Sequence, residues 1–172
     1  ASGSPGRNFN FWINNTSYIH YVFHSNTQAN HSLNSDANTF TLNQKSLVSL
    51  TNSGTVARTF FQGRFKNSVS DFSSIYSNTN IINIGRNLDY KDTTSKANMF
   101  DGQILEILMF NKDLTDQERV KVNYYLSQKW SMTTLVDSDN DTVVDSEDNW
   151  PLTYNGFPVI NSASINADEN SK

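Results

Sequence analysis

Phe100-Asp-Gly-Gln-Ile-Leu-Glu-Ile-Leu-Met-Phe110, running on through Thr115-Asp-Gln-Glu118 to Tyr124-Tyr-Leu-Ser-Gln-Lys-Trp130, is the stretch on which the fold turns. Ile104, Leu105, Ile107, Leu108 and Met109 are nearly continuous, and a run apolar on both sides predicts a central strand buried on two faces. Thr115 and Glu118 have the spacing of a capping box, so a helix is expected to start there. Val122, Tyr125, Leu126, Lys129 and Trp130 then recur at helical spacing, and the helix should end near Trp130. Burying Val122, Leu126 and Trp130 against a sheet would contribute roughly 1.5–3 kcal/mol each before entropy is subtracted.

Upstream, short strands alternate with turns. Phe9, Phe11 and Ile13 alternate with Asn10 and Trp12, and Tyr18–His24 repeats the period of two. Phe40 and Leu42 continue it after a polar Asn26–Asn38 loop. Leu47–Leu50 precedes an Asn52-Ser-Gly54 turn; Val56–Phe61 alternates and is closed by Gly63. Ile81–Gly85 is a further strand candidate. Many short strands with frequent turn signals predict an all-β jelly roll or β-sandwich.

After the helix comes Asp137-Ser-Asp139-Asn-Asp141-Thr-Val-Val-Asp145-Ser-Glu-Asp148-Asn149-Trp150-Pro151. Its aspartates occupy positions 1, 3, 5, 9 and 12 of a twelve-residue loop. Calcium takes six to eight hard oxygens, and carboxylates at this spacing can wrap one ion. Asp137, Asp139, Asp141, Asp145 and Asp148 are therefore candidate ligands, with the backbone carbonyl of Val143 at position 7. The EF-hand pattern wants Gly at position 6 and Glu at 12, where this chain has Thr142 and Asp148. Pro151 follows at once, so an EF-hand helix pair is not expected.

Two resemblances follow from these residues. The acidic run resembles a thrombospondin type 3 repeat, D-x-D-x-D-G-x-x-D-x-x-D-N-C-P, matching every Asp, Asn149 and Pro151 and departing at Thr142 and Trp150. That resemblance implies a calcium-stiffened extracellular linker, without the disulfide such repeats often use. Phe100–Trp130, with Thr55–Gly63 and Asn80-Ile-Ile-Asn-Ile-Gly-Arg86, resembles the end of a concanavalin A-like lectin/glucanase (laminin-G-like) domain. It implies a concanavalin A-like sandwich with one C-terminal helix and an extended acidic tail. Residues 1–131 would be the sandwich, with Phe9–Ile13 as its first strand or with its first strands missing. Residues 132–151 would be the calcium loop, and 152–172 a linker or disordered tail. Were strands missing, neighbouring modules or subunits could complete the sheet.

Composition narrows the function classes. The chain has 172 residues, no cysteine and a net charge of −4. Thiol chemistry and a disulfide framework are excluded, and no basic face invites nucleic acid. No apolar run approaches 18 residues, so no membrane insertion is expected. The opening Ala1-Ser-Gly-Ser-Pro-Gly6, with no signal peptide, reads as a fragment or the mature part of a longer precursor.

Glycosidases of the resembled fold use two carboxylates on one strand, because one donates a proton while the other attacks or activates water. Here the long run offers only Glu106, with Asp101 five residues away, so the chain is read as no enzyme. His20 and His24 would lie roughly 13 Å apart on one strand face, too far for one ion. Sugar sites place aromatics beside Asn and Asp on rim loops; Trp12, Asn87, Asp89 and Tyr90 are the weak candidates. The expectation is a non-catalytic carbohydrate- or surface-binding module of an extracellular or cell-surface, bacterial, multidomain protein, with calcium as cofactor and a glycan or extracellular protein as partner. The alternatives are a structural spacer or assembly domain of an adhesin or filament, and an accessory fragment of a carbohydrate-active enzyme.

Overall fold

The computed structural model describes residues 9–13, 19–24, 30–34, 39–41, 43–70, 84 and 100–154. Three strands form one antiparallel meander: β1 (Phe9–Ile13), β2 (Ile19–His24) and β3 (Asn30–Asn34). Phe11 pairs with Tyr21, and Tyr21 with Leu33. A second meander follows: β4 (Val48–Asn52), β5 (Val56–Phe61) and β6 (Arg64–Ser70). Its register places Leu50 opposite Thr59 and Thr59 opposite Asn67, with an irregularity between Thr59 and Phe60.

The two turns of the second meander have local causes. At the first, the Gly54 amide donates to Asn52 Oδ1 at 2.7 Å, and Gly54 takes a φ of 84° that side chains disfavour. At the second, Gln62 and Gly63 are both left-handed (φ 53° and 82°), as a two-residue hairpin turn requires. Gln62 pays for this conformation with three bonds: its amide donates to Leu47 O, Nε2 to Lys45 O, and Oε1 accepts from the Leu47 amide.

Leu33 and Ala57 are buried together, with Phe40, Val48, Leu50, Phe61 and Val69 packed around them. Phe40 meets Phe61 edge-on at 5.0 Å. Asn67 Nδ2 donates to Asn34 O, tying β6 to β3. The single described helix, α1 (Asp116–Lys129), begins where the capping box places it: the Glu118 amide donates to Thr115 Oγ1 and the Thr115 amide to Glu118 Oε2. The face it buries differs from the expected stripe. Arg119, Val120, Asn123 and Ser127 are buried, whereas Tyr125 is exposed. The reason is polar: Asn123 Nδ2 reaches the Ser138 carbonyl and Ser49 Oγ reaches Asn123 Oδ1, so this face serves the loop and the sheet.

The expected fold class needs correction. The described strands form two short open sheets with one helix, not a closed jelly roll or concanavalin A-like β-sandwich. Phe100–Phe110, expected as the buried central strand, has no strand pairing among the described residues. Ile104, Ile107, Leu108, Met109 and Phe110 are all exposed. Glu106 holds it elsewhere, accepting from Lys129 Nζ at 2.9 Å and Trp130 Nε1 at 2.8 Å and fixing the segment to the end of α1. The acidic run is likewise not an extended tail but a compact series of turns packed on β5–β6. The Ile81–Gly85 candidate, Ile84 apart, lies outside the described residues. Two strands went unread: β3, placed by the sequence in a polar loop that included His31, and β6.

Candidate metal site

The loop is built from the end of α1 outward. Trp130 closes the helix, its amide donating to Leu126 O. Ser131 is left-handed (φ 53°), and the Met132, Leu135 and Val136 amides close successive turns on Ser127 and Met132 carbonyls. Val136 is fully buried, anchoring the chain where the aspartates begin.

From there each carboxylate has a distinct environment. Asp137 is buried; its Oδ1 accepts from the Asp141 amide (3.1 Å), and its Oδ2 from the Thr142 amide and Arg64 Nε (both 2.9 Å). Asp139 Oδ1 accepts from the Asp141 amide at 3.3 Å, and Asp141 Oδ1 from the Val143 amide at 2.8 Å. One carboxylate oxygen from each of Asp137, Asp139 and Asp141 lies within 4.8 Å of the others, so these three form a cluster able to hold a divalent cation.

The remaining expected ligands sit differently. Asp145 accepts from the Ser138 amide through Oδ1 (2.8 Å) and from Ser138 Oγ through Oδ2 (2.9 Å), stapling the loop across seven residues. Burial pushes its carboxyl above the usual range. Asp148 Oδ1 accepts from the Trp150 amide, but its Oδ2 is buried without a partner. Val143 donates its amide to Asp141 and leaves its side chain exposed.

Asp139 is the carboxylate that the loop's own groups satisfy least. It is 6% exposed, and its Oδ2 has no hydrogen-bond partner. Burial, with Asp141, Asp148 and Asp137 nearby, pushes its carboxyl up to about 6. A buried, unpaired carboxylate oxygen among other carboxylates is costly unless a cation meets it. Thr142 adds strain: it is a β-branched residue at φ 87°, in the left-handed region that favours glycine.

Sequence spacing found the cluster but not its supports. Gln62, Arg64 and Phe65 belong to the site: Arg64 Nη2 donates to the Thr142 carbonyl (3.4 Å), the Phe65 amide donates to Asn140 Oδ1 (3.0 Å), and the Asp137 amide donates to Gln62 O (2.9 Å). Gln62, Arg64 and Phe65 lie some seventy residues from the loop, where no local pattern signals them. Of the sugar-site candidates, Trp12 stands in β1 opposite His20, while Asn87, Asp89 and Tyr90 lie outside the described residues. Among the described residues no helix is long and apolar enough to cross a membrane.

No protein-family model matches the chain, and no curated protein matches it. Among solved structures, an S-layer domain-containing protein (residues 221–444) from Clostridium thermocellum is similar at 16% identity with a TM-score of 0.39, over 67% of this chain and 55% of that chain. This chain therefore spans about half the length of that structure.

Proposed function

We propose that residues 137–148 bind one calcium ion, and that the chain is a non-catalytic module of an extracellular or cell-surface protein that binds a glycan or a surface partner. The observation that carries the cation reading is Asp139 Oδ2: buried, unpartnered, and set among the converging carboxylates of Asp137 and Asp141. The donor set selects the metal. Every ligand atom is a hard oxygen, which suits calcium or magnesium over zinc. Magnesium keeps most of its water and uses one or two carboxylates, whereas three here, with Asp148 Oδ2 also without a partner, suit calcium.

A single loop without a bidentate Glu belongs at the weak end of calcium affinities, about 10⁻⁴–10⁻³ M as in extracellular modules. Such a site fills only where calcium is abundant, which supports an exported location. A cleft beside the loop supports the partner reading. The cleft, of about 880 Å³, is lined by Arg58, Phe65, Asp116, Asn140 and Tyr154 among others, and Phe65 and Tyr154 are exposed. Aromatic faces next to amides and carboxylates suit sugar rings, which present both an apolar face and hydroxyls.

Calorimetric titration with calcium chloride tests the metal reading: saturable binding by the native chain, weakened at least tenfold by Asp139→Ala, is expected. No binding heat would contradict it. A glycan array in calcium and in EGTA tests the second part; calcium-dependent retention of a glycan supports a binding module, and none in either buffer leaves the structural spacer as the better reading.

A further inference from the structure

We propose that the β5–β6 turn, Gln62–Phe65, is the other half of the cation site: ion binding in the acidic loop and docking of that loop on the turn are one event, so the ion orders the start of β6 as well as its own ligands. This rests on the cation reading of Asp137, Asp139 and Asp141.

The contacts interleave with the ligands. The turn holds Asp137 through its amide (to Gln62 O) and its carboxylate (to Arg64 Nε), Asn140 through the Phe65 amide, and Thr142 through Arg64 Nη2. Asp137, Asn140 and Thr142 alternate along the chain with Asp139 and Asp141. The loop cannot leave the turn without moving the cluster, and the cluster cannot open without releasing the turn.

Gly63 makes the approach close. A Cβ there would lie 1.9 Å from the Asp137 carbonyl oxygen and 2.7 Å from its carbon. Both atoms are backbone, which cannot swing aside. The turn is itself braced from below, where Arg119 Nη1 donates to Gly63 O and the Arg119 guanidinium lies 4.0 Å from the centre of the Phe60 ring.

Electrostatics supplies the coupling. Docking gathers three carboxylates within 4.8 Å, and Arg64 pairs with one of them, Asp137. Asp139 Oδ2 stays buried without a partner. Repulsion therefore opposes the docked state when no ion is present. An ion that meets all three carboxylates only in the docked loop favours that state by its differential affinity, and by reciprocity the docked turn favours the ion. Gln62, Gly63, Arg64 and Phe65 are thus positioning residues for a site in which none of them is a ligand.

Two glycines provide the test. Gly63 and Gly54 have nearly the same φ, 82° and 84°, but a Cβ at Gly54 meets nothing within 4 Å. Gly54→Ala therefore reproduces the backbone strain without the collision. Calcium affinity of the full 172-residue chain should fall at least tenfold in Gly63→Ala and stay within about twofold of native in Gly54→Ala. Equal affinity in the two variants would overturn the proposal.

Amide hydrogen exchange in the native chain gives an answer even where Gly63→Ala does not fold. Calcium chloride should slow the Phe65 and Asp137 amides relative to EGTA more than the Ser53 amide, which bonds Val56 O in an exposed turn at the far end of the β4–β5 hairpin and exchanges by local opening. Calcium binding without slower exchange at Phe65 overturns this inference alone. No calcium binding by the native chain overturns the cation reading beneath it as well.

Discussion

At Asp139 the same carboxylate should help or harm the protein depending on calcium. Ionised and ion-free, it places an unpaired oxygen among Asp137, Asp141 and Asp148, and burial holds its proton up to about 6. Asp139→Asn removes the charge but keeps the shape. Thermal denaturation should show the variant more stable than native in EGTA and less stable in millimolar calcium; a change of the same sign in both buffers would argue that no ion meets this oxygen. Thr142 offers a second residue-scale test. Relief of a left-handed β-branched residue should gain roughly 1–2 kcal/mol, against an entropic cost of glycine of about 0.5–1 kcal/mol. Thr142→Gly should therefore be neutral to about 1.5 kcal/mol stabilising in chemical denaturation, and a clear loss would show that the threonine has a role beyond filling the turn. The spacing of the aspartates made this site legible in sequence, because ligands that bind one ion from a short loop must recur at fixed intervals. Their separate duties were not legible. Asp145 satisfies the spacing as well as Asp141 does, yet its oxygens accept from the Ser138 amide and hydroxyl, and only three-dimensional proximity shows that Asp137, Asp139 and Asp141 are the carboxylates that converge.

Among the elements, α1 was the most readable, since its start is fixed by a bond pattern only three residues long. Thr115→Ala should cost ~1 kcal/mol of stability by removing the N-cap. The ion pair with Lys112, and then the Thr115 amide, hold the Glu118 carboxyl down to about 2. A carboxylate favoured in the folded state stabilises it fully above the ordinary value of 4.5 and loses that contribution as pH falls through about 2. The helical circular-dichroism signal should weaken across that window, and Glu118→Gln should flatten the dependence. β3 and β6 were illegible for the opposite reason. Asn30–Asn34 and Arg64–Ser70 are mostly polar, and they are strands because β2 and β5 present ladders to them, not because of their own propensity. Phe100–Phe110 misled in the other direction: its apolarity predicts burial, but Glu106 ties it to Lys129 and Trp130 at the end of α1. Met109 is 70% exposed, so Met109→Lys should shift stability by less than about 0.5 kcal/mol. A loss of several kcal/mol in denaturant titration would restore the buried strand.

For the whole molecule, the consequence is that the acidic loop belongs to the folded body. Asp137 and Asn140 grip the β5–β6 turn, and Asn123 of α1 holds the Ser138 carbonyl, so sheet, helix and loop share one set of contacts. Sequence reading placed the loop after the domain because its local pattern is self-contained; the contacts that dock it span seventy residues and leave no periodic trace. Calcium at a hundredfold excess over its dissociation constant should add about 2.7 kcal/mol to global stability, moving one cooperative unfolding transition instead of ordering the loop alone. The central claim is that a cation sits where Asp137, Asp139 and Asp141 converge. A crystal structure determined from protein in millimolar calcium chloride, with anomalous scattering measured, tests it most directly. A peak about 2.3–2.6 Å from Asp139 Oδ2, with carboxylate oxygens of Asp137 and Asp141 also in range, is the predicted result. A well-ordered loop with no anomalous peak among those three carboxylates would contradict it.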